Sequence, residues 1–166
     1  MAREPRIHLV YTREDVPYRR LFTHWFSERF PVVPEGPPLV LDDWTLPARA
    51  VNAARERRRG ANVAVVLLGV DTWRSRVVDV EIQAALLDRL AVLALHTPDR
   101  PGATGPFPLP PRLRENVYLG YAAVHPWPES EDALERWLED AMERVRSERP
   151  DTLRPLLERD IRGERL

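Results

Sequence analysis

The residue best placed for chemistry is Glu81, in the segment Arg76-Val-Val-Asp-Val-Glu-Ile82. On a helical wheel Val78, Ile82, Ala85 and Leu86 share one face, and Glu81 lies at its edge beside Val77, Ala84 and Ala85. A carboxylate there loses part of its hydration, which disfavours the charged form unless a partner compensates. Near a ligand cleft such a group serves catalysis or grips a sugar hydroxyl; on the rim of a helix it is an ordinary surface glutamate. Ahead of it, Asp71, Thr72, Trp73, Arg74 and Ser75 form a polar loop after the apolar run that ends at Gly69. A buried strand therefore delivers polar groups to one edge of a sheet, and a carboxylate follows two turns later.

Other chemistry is narrower. The chain has no cysteine, which removes disulfides, thiol catalysis and cysteine-ligated zinc or iron–sulfur sites. Its four histidines are His8 in a strand, His24 on a helix, and His96 and His125 near strand ends. No His-x-x-x-His pair occurs and no carboxylate is spaced to join them, so no metal site is predicted. His96 and His125 meet at the ligand edge of the sheet or are solvated loop residues. Every basic side chain among the 25 counted is arginine. The run Arg57 to Arg59 reads as a helix C-terminus, where cations are favourable, rather than as a nucleic-acid patch. A net charge of -1 gives no electrostatic reason to expect nucleic acid or an anionic membrane as partner.

The elements that position these residues follow from periodicity. At 166 residues, 43% hydrophobic and 31% charged, the chain has the composition of one soluble globular domain. No apolar stretch suits a signal-peptide core or a spanning helix, and a cytoplasmic location is expected. Ile7 to Tyr11 is a strand ending at Thr12, and Asp15 is an N-cap for a helix carrying Tyr18, Leu21, Phe22, Trp25 and Phe26 on one face. Leu39 to Leu41 reads as a second strand, ending at Asp42, Asp43 and Trp44. A helix from about Ala48 to Arg58 follows, then the Val-rich third strand, a helix from Arg76 to about Asp88, and a fourth strand, Leu90 to Leu95. His96 to Pro111 is proline-rich and irregular. Val117 to Tyr121 reads as a fifth strand. A helix capped by Ser130 comes next, and a short one spans about Thr152 to Ile161.

Alternating strands and helices predict an α/β fold, a flavodoxin-like three-layer sandwich with a five-stranded parallel sheet in the order 2-1-3-4-5. In that order ligands bind at the carboxyl ends of strands one and three, here Tyr11 to Asp15 and Gly69 to Ser75.

These residues carry a family resemblance. Ile7-His-Leu-Val-Tyr11 with Asp15, Leu41-Asp42 with Trp44, Val65-Val-Leu-Leu-Gly69 with Thr72, and Ser75-Arg-Val-Val-Asp-Val-Glu81-Ile82 stand in the order of a TIR domain. The chain resembles the bacterial TIR-like branch of Thoeris-type anti-phage systems over about residues 6 to 95. The resemblance implies a TIR-like domain over residues 1–148, with 149–166 as a short helical extension of it. It also implies an NAD+ nucleosidase or cyclase that makes an ADP-ribose-derived signal. Glu81 stands at the family's catalytic position, contacting the ribose beside nicotinamide. Tyr11, Thr12, Asp43, Trp44, Gly69, Asp71, Thr72, Trp73 and Ser75 stand where substrate is contacted. NAD+ is then the substrate, with no separate cofactor, and nicotinamide leaves as a neutral molecule without a metal. The expected partners are a second copy of the chain and a downstream effector activated by the product, with no nucleic acid or membrane.

Departures from the family pattern leave alternatives. Val77 stands where the family motif carries tryptophan, a place Trp73 is positioned to fill. The substitution equally suits a TIR-like interaction module without catalysis. Thr12 contacts substrate or caps its turn, and Asp42 reads as ordinary turn chemistry. An N-glycosidic-bond enzyme such as a nucleoside deoxyribosyltransferase also uses a glutamate on a similar fold. A phosphoacceptor receiver needs a lysine, and the chain has none.

Overall fold

A computed structural model describes residues 4–99 and 108–147. Four strands, β1 (Ile7–Val10), β2 (Val63–Leu68), β3 (Ala91–His96) and β4 (Ala123–His125), form one parallel sheet in the order β1-β2-β3-β4. The described residues also form five α-helices: α1 (Val16–Phe26), α2 (Pro47–Arg57), α3 (Arg76–Leu87), α4 (Pro111–Tyr118) and α5 (Glu131–Ser147). Single 3-10 turns, Arg13–Asp15 and Thr72–Arg74, follow β1 and β2.

The strands are apolar on both faces because both faces are covered. Ile7, Leu9, Val63, Val65, Leu67, Leu93 and Leu95 pack against Phe22 and Phe26 of α1 and Leu134 and Leu138 of α5. The alternate residues Val10, Ala64, Val66, Leu68, Val92 and Ala94 pack against Val78, Ile82 and Ala85 of α3 and Leu113 of α4. By the same alternation His8 lies on the α3 side. α2 packs onto α3 rather than onto the strands, with Ala50, Val51 and Ala54 against Val80 and Ala84.

The architecture is α/β with a parallel sheet, consistent with a flavodoxin-like sandwich, but the sheet has four strands among the described residues where five are predicted. Leu39 to Leu41 form no strand. Pro37 and Pro38 just before them cannot donate to a ladder, and Leu39 and Leu41 pack instead beside the α2–α3 contact. The outer edge of β1 is met earlier, by one parallel bridge between Ile7 and Val32. There Ile7 N–H donates to Pro31 O and Val33 N–H to Ile7 O, each at 2.8 Å.

Val117 to Tyr121 is not a strand either. Pro111 opens α4 at a position where a missing N–H costs nothing. Gly120, at φ +79°, ends that helix in the left-handed conformation. Tyr121 and Ala122 are buried, Tyr121 donating its hydroxyl to Leu90 O at 3.0 Å, and β4 begins only at Ala123. The predicted helix at Thr152 to Ile161 lies outside the described residues, as do Arg100 to Phe107 of the proline-rich stretch.

Truncating Leu93→Ala in the central strand β3 is expected to cost about 2–5 kcal/mol, since the strand cannot collapse around the space left. Val40→Ala, at a side chain 82% exposed, is expected to stay within about 0.5 kcal/mol of wild type. Urea unfolding of the two variants measures the contrast.

Candidate functional site

A cleft of about 1000 Å³ opens between the turn after β1, the segment from Glu35 to Leu41, and the start of α3. Tyr11, Thr12, Asp71, Ser75 and Glu81 line it, together with Val77, Glu35, Arg57, Arg13 and Arg74. Asp43, Trp44, Gly69, Thr72 and Trp73 are not among its lining residues. Trp44 is 90% exposed and Trp73 43% exposed.

Glu81 is 2% exposed. Its Oε1 accepts a hydrogen bond from Arg57 Nε at 3.0 Å and lies 3.3 Å from His8 Nε2. Its Oε2 makes no hydrogen bond among the described residues. His8 is fully buried and its Nδ1 also lacks a partner there. A proton on Nε2 gives the ring a bond to Glu81, whereas one on Nδ1 would strand a buried donor, so the partners assign the Nε2–H tautomer.

Arg57 does more than pair with Glu81. Its Nη2 donates to Glu35 Oε2 at 3.0 Å, and its Nη1 to the carbonyls of Gly36 and Pro37, both at 3.1 Å. Glu35 in turn accepts from the Tyr11 hydroxyl at 2.9 and 3.1 Å and from Arg19 Nε at 3.0 Å. Burial and the Glu35 carboxylate raise the Tyr11 pKa, which keeps the phenol a donor. One connected set, His8–Glu81–Arg57–Glu35–Tyr11, thus spans β1 and the turn after it, the segment between α1 and α2, and the helices α2 and α3.

His8, Glu35 and Arg57 are the members that sequence reading did not assign to the site. In the sequence alone a helix end accounts for Arg57. A periodic signal does exist for it. Arg57 follows Ala54 by three residues and Ala50 by seven, on the apolar stripe of α2. Glu81 precedes Ala84 by three on the facing stripe of α3. Two stripes that pack together bring the opposite charges at their margins into contact. Neighbouring Arg58 is buried, donating to Ala84 O and to Asp88 Oδ2, and desolvation lowers its pKa.

The loops after β1 and β2 are joined by a second buried acid. Asp15 occupies the N-cap position of α1 but makes no side-chain cap bond, contrary to the role predicted for it. Its Oδ2 instead accepts from Thr12 Oγ1 at 2.8 Å and lies 3.3 Å from Thr72 Oγ1, which itself accepts from Gly69 N–H at 2.8 Å. The carboxylate rests against Gly69, where an added Cβ would come within 2.1 Å of Oδ1. This close approach requires glycine at position 69. Thr12 therefore both lines the cleft and bonds within its own turn. Ser75 lines the cleft while its hydroxyl caps α3, accepting from Val78 N–H at 3.3 Å. Asp42 closes a turn, its Oδ1 accepting from Trp44 N–H and Thr45 Oγ1.

The histidines at the strand ends do not converge on a metal. His125 stacks on Trp137 at 4.3 Å between centroids, and the described residues hold no group of three or more histidine or acidic side chains placed to bind a metal ion. No helix among them is long and apolar enough to cross a membrane.

A parallel α/β domain with a carboxylate fixed beside a cleft at the sheet edge is a class shared by several families. The comparison with known families is more specific. Residues 44–101 match the family described as Thoeris protein ThsB, TIR-like domain. The match supports a Thoeris-type TIR-like domain, in agreement with the resemblance drawn from the motifs, and it contains both Arg57 and Glu81. No curated protein matches the chain.

Asp15 gives the site a pH signature. Desolvation raises its pKa from the ordinary 3.8, against the lowering effect of the Thr12 and Thr72 hydroxyls. The folded protein then binds this proton more tightly than the unfolded chain, so Asp15 costs stability as pH rises from about 3.8 through its raised folded value. Asp15→Asn is expected to gain stability relative to wild type on going from pH 4 to pH 7. Denaturant unfolding of both proteins at the two pH values tests the sign.

Proposed function

We propose that the protein is a TIR-like NAD+ nucleosidase or cyclase of an anti-phage defence system. The observation that carries this reading is Glu81, a buried carboxylate on the wall of a cleft, held through Oε1 while Oε2 makes no bond among the described residues. The match to the Thoeris ThsB TIR-like family supports it.

In the reaction the bond between nicotinamide nitrogen and ribose C1′ breaks, and its electron pair leaves with neutral nicotinamide. Positive charge develops on the ribose. A carboxylate preorganised at that point stabilises the transition state more than the ground state. The acceptor then adds to C1′. Water gives ADP-ribose and a proton, while a nucleophile on the same molecule gives a cyclic isomer. Features of the cleft support this substrate: Leu39, Leu41 and Val77 offer apolar surface for a ring, and Arg13, together with Arg74 in its pair with Asp71, offers donors for a diphosphate. The product would activate a downstream effector, and a second copy of the chain is the expected homo-oligomeric partner.

The test is nicotinamide release from NAD+ by purified protein, with and without phage lysate. Glu81→Gln, with folding intact by circular dichroism, is expected to lower kcat by on the order of 10²- to 10³-fold. Release unchanged in the variant would remove Glu81 from the mechanism. Turnover of nucleosides without turnover of NAD+ would favour a deoxyribosyltransferase-like activity instead.

A further inference from the structure

Arg57 spends its donors in an unusual way for a residue at a helix end. Its Nε holds Glu81, its Nη2 holds Glu35, and its Nη1 holds two consecutive carbonyls, Gly36 and Pro37. These acceptors belong to two walls of one cleft: α3 on one side and the start of the 35–41 segment on the other. The backbone repeats the connection, since Gly36 N–H donates to Arg57 O at 3.0 Å. A Cβ at Gly36 would sit 2.9 Å from Arg57 Cα, so glycine permits the segment to seat on the end of α2.

We propose that Arg57 is the positioning residue of this site, a single guanidinium that aims the Glu81 carboxylate and fixes the 35–41 wall at a set distance from it. The proposal rests on the NAD+-cleaving reading for its kinetic consequence but not for its geometry. The physical basis is the planar fork of arginine, whose five N–H donors leave in fixed directions and fix the relative placement of everything they bind. Lysine carries the same charge on one point and cannot do this. His8 also meets Oε1, from β1, with its Nε2 at 3.3 Å. With Oε1 held twice, the rotation of the carboxylate is restricted, and the side chain stays on the cleft wall that it lines. The bonds that Arg57 makes run to protein acceptors, Glu81, Glu35, Gly36 and Pro37.

Three variants test this: Arg57→Ala, Arg57→Lys and Glu81→Gln. Misplacing a reacting group by about 1 Å costs about 100-fold in rate. Arg57→Ala is therefore expected to lower kcat for nicotinamide release about 100-fold. Added guanidinium, at low millimolar concentration and far below denaturing levels, is expected to return about 10-fold of that loss. It should do nothing for Glu81→Gln. Arg57→Lys keeps the charge but loses the fork, and should lie nearer to Arg57→Ala than to wild type. It also serves if Arg57→Ala fails to fold. Wild-type kcat in Arg57→Lys, or a folded Arg57→Ala with undiminished kcat, would overturn the proposal.

A readout without substrate separates this inference from the NAD+ reading. The His8 Nε2–H proton, observed by NMR, is expected to be protected by Glu81 in wild type. It should broaden by exchange in Arg57→Ala, or in Arg57→Lys if the alanine variant does not fold. In Arg57→Ala it should sharpen again with guanidinium. An unchanged signal would mean that Glu81 holds its place without Arg57, and the proposal fails. If the signal behaves as stated while wild type releases no nicotinamide, the NAD+ reading falls and the positioning role stands.

Discussion

A carboxylate with 2% of its surface exposed must be compensated inside the protein, and around Glu81 the compensation comes from two separate elements. An uncompensated buried charge costs several kcal/mol, so its partners are obligatory. Arg57 answers from α2 and His8 from β1. Meeting that one requirement ties α2 to α3 and α3 to β1. It also explains the small residues at the contact. Ala50, Ala54 and Ala84 bring the two helix backbones close enough for a guanidinium at the margin of one to reach a carboxylate at the margin of the other.

The second buried acid is handled differently, and the comparison is instructive. Asp15 receives hydroxyl bonds from Thr12 and Thr72 and, among the described residues, no guanidinium. Hydroxyls offset only part of the desolvation, so the Asp15 pKa rises. Its structural work is to tie the turn after β1 to the loop after β2, over a glycine that leaves room for the carboxylate. One acid thus sets the mouth of the cleft and the other lies on its wall.

The cleft owes its shape to the strand that does not form. With one bridge at Val32 in place of a ladder, the chain after Val33 leaves the edge of β1. It becomes a wall that carries Glu35 toward Arg57 and Tyr11. A full edge strand would have spent those backbone groups on β1. The segment matching the Thoeris ThsB TIR-like family begins at residue 44 and so includes Arg57, Ser75 and Glu81 but leaves out His8 and Glu35.

Much of this was legible in the sequence, for reasons of local physics. The continuous apolar runs from Val63 to Leu68 and from Leu90 to Leu95 have strand length between clear helical patterns, which suits strands covered on both faces, and both are strands. Glu81 at the edge of an apolar stripe already stood out as a carboxylate that would need a partner. Leu39 to Leu41 and Val117 to Tyr121 misled because a short apolar run has no period of its own. Prolines before the first, and a proline at the head of a helix running into the second, decided their fate. The partners of Glu81 were beyond reach of the sequence. His8, Arg57 and Glu81 are separated by tens of residues, and each alone has an ordinary local explanation as a strand residue, a helix end or a rim glutamate. Only the packing of α2 on α3 and of α3 on β1 brings them within hydrogen-bond distance. Side-chain hydrogen bonds between distant elements depend on ångström-scale placement, which local periodicity does not encode.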